Sequence, residues 1–142
     1  MGAWGFGAFD NDDAMDWIAE LEESEDGAVL EDALSAIPTD DSEYVEAPEC
    51  SIAVAAAEVV AALAQHPSAD LPEQVRDWVK NKPAPDERLR RRAHEVIARI
   101  LLSSELKDLW SDGSDAEAWT ASLHDLQRRL SGRNNPTRAA EE

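Results

Sequence analysis

Between Ile52 and Ala64 the chain carries thirteen residues and a single charge, Glu58. A membrane span needs roughly 18 or more apolar residues, so this run is too short to cross a bilayer and reads as a helix that is apolar on every side. Such a helix has to be enclosed by other elements. It therefore marks the centre of the fold, and its alanines let neighbouring helices approach closely. Glu58 is the oddity, because a carboxylate taken into a core without a partner shifts its pKa or destabilises the fold. Either this helix keeps one wet edge, or Glu58 meets an arginine from a basic helix later in the chain. The ion pair is preferred to a catalytic role.

The remaining periodicity is helical as well. After Asn11, whose side chain suits an N-cap, Ala14, Trp17, Ile18 and Leu21 fall at i, i+3, i+4 and i+7 and make one apolar stripe. Asp12 and Asp13 sit in the first turn, where the helix dipole favours negative charge. Leu30, Ala33, Leu34 and Ile37 repeat the stripe, and Pro38 stops it. The stretch from Thr39 to Glu49 has no period, holds five acids and predicts an exposed loop. Asp70 is placed to cap a short helix that turns Leu71, Val75, Trp78 and Val79 inward. Leu89, Ala93, Val96, Ile97 and Ile100 share one face of a longer helix whose other face is basic. Leu106, Leu109 and Trp110 follow as a short amphipathic turn or a continuation of it. Ser114 and Glu117 have capping-box spacing before a last stripe of Ala116, Trp119, Leu123, Leu126 and Leu130, with Gly132 at the C-cap. No window of four residues alternates as a strand does, apart from a faint alternation near Tyr44 and Val45. The expectation is an all-α fold, a single compact bundle of five to seven helices over residues 1–131. An N-terminal Gly/aromatic arm (1–10) packs on it, and a flexible tail (132–142) follows.

At 142 residues, with 43% hydrophobic side chains and five tryptophans, such a chain can build an ordinary core. The lone Cys50 cannot make an internal disulfide and fits a reducing compartment. No basic start leads into an apolar run, and the first lysine or arginine is Arg76, which argues against secretory, nuclear or mitochondrial targeting. A cytoplasmic protein is expected.

Charge is distributed unevenly. Residues 1–75 hold 19 acids and no lysine or arginine, whereas residues 76–142 hold 12 acids and 13 bases, for a net charge of −18. Uniform adaptation to high salt would acidify both halves. An acidic field repels phosphate backbones and anionic lipid, so neither nucleic acid nor membrane is expected as a partner. It attracts basic proteins and divalent cations instead. The alternative is that Arg88, Arg91, Arg92 and Arg99 fold back over the acidic half and neutralise it internally.

The chain opens MGAWGFGAFDNDDAMDW. Gly2, Gly5 and Gly7 alternate with Trp4, Phe6 and Phe9, a flexible arm carrying large anchors, and Phe9 stands where it can staple the first helix turns. Glycines beside a helix start also fit a phosphate cradle, but no lysine follows, no strand precedes, and Asp10, Asp12 and Asp13 would repel the phosphate. The opening resembles that of a group of small bacterial proteins classed as domain of unknown function 4259. Its members begin with a similar Met-Gly-x-Trp-Gly-x-Gly-x-Phe-x-Asn-Asp-x-Ala-x-Asp-Trp string. Gly2, Trp4, Gly5, Gly7, Phe9, Asn11, Asp12, Ala14, Asp16 and Trp17 carry the match. The resemblance implies a bacterial origin and a shared fold, and transfers no catalytic residue.

Among candidate sites, Asp10, Asp12, Asp13 and Asp16 come first. Asp12 and Asp16 lie at i and i+4 on one helix face and could share Ca²⁺ or Mg²⁺, although the spacing is not that of an EF-hand. Capping and dipole compensation account for the same residues without a ligand. His66, His94 and His124 belong to no zinc pattern, since Ala98 stands where a zincin would place its second histidine. Cys50 precedes the central helix, but Glu49 and the acidic field oppose a reactive thiolate, and a buried cap position is the preferred role. Four of the five tryptophans fall on or beside apolar stripes, with Trp4 the exception.

The reading that follows is a non-enzymatic acidic interaction module of the immunity, inhibitor or nucleic-acid-mimic type, without a cofactor. It would bind a basic protein through Trp4, Asp10, Asp12, Asp13, Asp16 and Glu20. Gly5, Phe9, Asn11, Trp17 and Glu58 serve the fold. The alternative is a divalent-metal-binding protein or metal-dependent enzyme using Asp12 and Asp16, and a structural or stress-related protein is a third class. Oligomeric state stays open.

Overall fold

The apolar run becomes α3 (Ala47–Leu63), and it packs against all six other helices. From Cys50 to Leu63 every residue of α3 except Ile52 is buried, Glu58 included. The computed structural model describes residues 7–24, 27–38, 44–69, 71–111 and 113–131. Around α3 stand α1 (Asp12–Glu23), α2 (Ala28–Ser35), α4 (Glu73–Val79), α5 (Glu87–Leu102), α6 (Glu105–Ser111) and α7 (Ala116–Leu130). Helix accounts for 71% of the described residues, none of which forms a strand, so the molecule is a compact all-α bundle. Trp4 and Gly5 of the expected arm, the expected cap residue Asp70, and the stretch from Gly132 onward lie outside the described residues.

Local sequence accounts for most of these helices. Asn11 caps α1, its side chain accepting the Ala14 N–H at 2.8 Å, and Ala14, Trp17, Ile18 and Leu21 are buried. Phe9, two residues before the cap, is 8% exposed and belongs to the core. The α5 stripe of Ala93, Val96, Ile97 and Ile100 is likewise buried.

Several boundaries differ from the sequence expectation, each for a tertiary reason. The stretch read as a loop to Glu49 ends earlier, because α3 starts at Ala47 with Pro48 in its first turn, where a missing N–H loses no helical bond. That start is secured from far away in sequence. The Glu105 carboxylate accepts the Ala47 N–H at 2.7 Å, while the Glu105 N–H donates to the Val45 carbonyl at 2.9 Å. Val45 is thereby buried against the core, and the described residues Tyr44 and Val45 form no strand. The N-cap position of α4 is Pro72, and that of α7 is Asp115 without a side-chain bond, so Ser114 and Glu117 form no capping box. Leu106 and Leu109 part company: α6 is a separate helix, set off by extended Ser103, and Leu109 is 61% exposed.

The C-terminus of α3 turns on Gln65, whose φ of 76° is left-handed. The Gln65 N–H donates to the Ala62 carbonyl at 3.0 Å and the His66 N–H to the Ala61 carbonyl at 2.9 Å, the paired bonds of a Schellman motif. Glycine is the residue that takes this conformation without steric penalty. Gln65→Gly is therefore expected to raise stability by about 1 kcal/mol, read as a higher urea midpoint with an unchanged slope. A drop in midpoint would show that the Gln65 side chain makes a compensating contact.

Candidate functional site

Burial obliges Glu58 to find a cation, and that cation is Arg129. The Arg129 Nη1 and Nη2 donate to the two carboxylate oxygens of Glu58 at 3.0 and 3.1 Å, a bidentate pair whose side chains are only 12% and 8% exposed. Nη1 also donates to the His66 carbonyl at 3.2 Å, and Nε donates to Asp125 Oδ2 at 2.7 Å. The Schellman turn at Gln65 is what presents that carbonyl. Burial works against the Arg129 charge, but the hydrogen bonds and attraction of Glu58 and Asp125 outweigh it, so its pKa is raised. The sequence expectation looked to the basic face of α5 for this partner; it comes instead from α7. On α5, Arg91 pairs with Glu87 of its own helix at 2.9 Å. Arg99 turns inward and donates to the carbonyls of Ser103 (3.3 Å) and Pro38 (3.2 Å).

Beside this ion pair lies a cavity of about 540 Å³, within the range of small-molecule sites. One wall is α3, which contributes Ser51, Val54 and Glu58 at i, i+3 and i+7. Opposite, α7 contributes Trp119, Ser122, Leu123, Asp125 and Arg129, and α6 adds Leu106 and Trp110. The turn from Gly7 to Asn11 and Ser68 complete the described lining. Asp10 is held over that turn, its Oδ2 accepting the Gly7 N–H at 3.2 Å. A side chain at Gly7 would strike this carboxylate, since an added Cβ would sit 2.7 Å from Asp10 Oδ2.

The acidic residues singled out by sequence divide between two places. Asp10 is half-buried at the cavity, whereas Asp12, Asp13, Asp16 and Glu20 are exposed along α1. Among the described residues, no carboxylate from Asp10 to Glu49 enters a salt bridge. The cations of neighbouring α4 and its following turn are engaged elsewhere. Arg76 donates to the Ala69 carbonyl at 3.4 Å, Lys80 pairs with Asp77 at 3.4 Å, and Lys82 sits 4.6 Å from the centre of the Trp78 ring. Arg88, Arg91 and Arg92 share a groove with Glu31 between α2 and α5, and α5 does not touch α1. Among the described residues, no three of His, Cys, Asp and Glu are grouped to hold a metal ion. None of the described helices is long and apolar enough to cross a membrane.

Cys50 lies inside α3, fully buried, and burial pushes its thiol up to about 11. The cavity residues Ser51, Trp110, Trp119, Asp125 and Arg129 were not singled out as a site by sequence. Two sequence signals lie there: the candidate acid Asp10, and the solitary Glu58, which demanded a cation without saying which helix would bring it.

The fold is thus an all-helical bundle with an ion-paired cavity at its centre and a one-sided acidic helix on its surface. A family model described as Domain of unknown function (DUF4259) matches residues 2–122, and the chain belongs to that family. No curated protein and no solved structure matches it.

Removing one partner of a buried pair leaves an uncompensated charge, so Arg129→Met is expected to lose about 3–5 kcal/mol. Adding Glu58→Leu to it should recover much of that loss, as measured by denaturant unfolding of both singles and the double. Simple additivity of the two single losses would show that the pair is not coupled. For Cys50, the folded thiol keeps its proton above the pH at which the unfolded one loses it. Stability is expected to fall as pH rises from about 9 to about 11, and aromatic-disulfide labelling at pH 8 should be far slower in the native than in the unfolded chain. Equal labelling rates would contradict the burial of Cys50.

Proposed function

We propose that the chain is a protein-interaction module that captures a basic protein partner on the outer face of α1. The observation that carries this reading is that, among the described residues, the α1 carboxylates enter no salt bridge while Arg76, Lys80 and Lys82 of neighbouring α4 and its following turn are engaged with other groups. Asp12, Asp16, Glu20 and Glu23 fall within an arc of about 80° on the helix. Their like-charge neighbours at i and i+4 weaken an isolated helix by about 0.2–0.5 kcal/mol per pair. Glu22 and Glu23 also stand in the last turn, where no basic residue offsets the dipole. A basic partner relieves both penalties on binding, and opposed fields speed encounter and make affinity fall with salt. This is the behaviour of an immunity protein, an inhibitor or a nucleic-acid mimic, and it uses Asp12, Asp13, Asp16 and Glu20 as the contact residues.

The double substitution Asp16→Asn and Glu20→Gln keeps size and solubility while removing two charges from the face. Immobilised wild-type chain is expected to retain a basic protein from host lysate at about 50 mM salt and release it at about 500 mM, and the variant should fail to retain it. Identical retention by both proteins would overturn the reading. Saturable heat from Ca²⁺ or Mg²⁺, lost in Asp16→Asn, would instead assign the face to a cation.

A further inference from the structure

The cavity between α3, α6 and α7 is a separate place from the α1 face, and its polar groups are not all accounted for. Ser51 is 8% exposed, lines the cavity and makes no side-chain hydrogen bond among the described residues. A helical serine ordinarily satisfies itself on the carbonyl four residues back; here that bond to Ala47 is not made. A buried hydroxyl left in this state is destabilising unless something in the cavity meets it. The cavity is also graded along α3. Ser51 and Glu58 are seven residues apart, roughly 10 Å along the axis; Glu58 meets Arg129 from the end of α7, whereas the tryptophans come from α6 and the start of α7.

We infer that this cavity binds a small organic cation, an amine or quaternary ammonium carried on an apolar body. Among the described residues the charged lining consists of Asp10, Glu58 and Asp125 against Arg129, and Arg128, outside the lining, pairs with the second oxygen of Asp125, so Asp10 is the carboxylate left over. Arg129 directs four N–H bonds to Glu58, Asp125 and the His66 carbonyl, so it does not present its charge to an anion. Asp10 makes no salt bridge and accepts from the Gly7 backbone. Among the described residues no cation compensates its charge at the cavity. Trp110, Trp119, Val54 and Leu123 supply the surface for the apolar body, and aromatic rings attract cations as well as carbon. The Ser51 hydroxyl supplies a further hydrogen bond. The same lining opposes a carboxylate or phosphate ligand.

Three probes with one body separate the contributions of the head: 4-phenylbutylamine, 4-phenylbutanol and 4-phenylbutyrate, titrated calorimetrically onto the full chain at physiological salt. The amine is expected to bind saturably at one site, about tenfold more tightly than the alcohol, with no binding of the carboxylate. Asp10→Asn keeps an acceptor for the Gly7 N–H and should weaken the amine about threefold or more while leaving the alcohol unchanged. Ser122→Phe, which fills the cavity from α7, should abolish binding of both. The Asp16→Asn, Glu20→Gln variant should bind the amine as the wild type does, which separates the cavity from general attraction to an acidic protein. The inference is overturned if none of the three probes binds below about 10 mM, which leaves water as the only occupant. It is equally overturned if amine and carboxylate bind alike, or if the α1 variant loses the amine and Asp10→Asn does not.

Discussion

A carboxylate on the innermost helix is the constraint around which the rest of the bundle is arranged. Glu58 sits in the second half of α3, enclosed by neighbours, and Arg129 compensates its charge with both terminal nitrogens. Desolvation can exceed the attraction in such a pair, which makes it weak evidence for stability and better evidence for register. The guanidinium spans three elements, since it also binds Asp125 on its own helix and the His66 carbonyl after α3. The turn at Gln65, the azimuth of α7 and the depth of the cavity are thereby tied to one another.

The separation of charge follows from how the remaining cations are used. Arginine-rich α5 lies against α2, α3, α6 and α7, and its arginines meet Glu87, backbone carbonyls and the groove shared with Glu31. The basic half of the chain therefore screens part of the acidic half, over α2. Among the described residues α5 does not touch α1, and the cations of α4 and its following turn, which do lie beside α1, are engaged with the Ala69 carbonyl, Asp77 and the Trp78 ring. Asp12, Asp13, Asp16 and Glu20 remain exposed to solvent, in a chain whose net charge is −18. The acidic surface and the cavity are two features with different chemistry: one an exposed row of carboxylates on α1, the other a recess lined by tryptophans, a serine and an ion pair.

Much of the fold was legible because its signals are local. Asn11 followed by Ala14, Trp17, Ile18 and Leu21 encodes a cap and a stripe within eleven residues, and the apolar run around Glu58 could only be enclosed. The family was legible in the same stretch, from the glycine and tryptophan spacing of the opening. What failed was non-local. Pro48 suits a first helical turn, but the start at Ala47 is secured from far away, its N–H being satisfied by Glu105. The spacing of Leu109 fits an apolar stripe, yet α6 is too short and too peripheral to bury it. Ser114 and Glu117 have the right separation for mutual capping, but the helix begins after Asp115.

The amino-acid sequence by itself determined that the chain is helical, that α3 is central, and that its first half carries acid without base. These follow from periodicity, burial and counting, which are properties of neighbours along the chain. Tertiary structure alone decided which arginine answers Glu58, which acids stay exposed, and that a cavity opens between α3, α6 and α7. Side chains with identical charge are interchangeable in a one-dimensional reading. Only the packing angles and lengths of the helices choose among Arg88, Arg99 and Arg129, because a bidentate bond tolerates misplacement of a few tenths of an ångström and a helix face turns by about 100° with each residue.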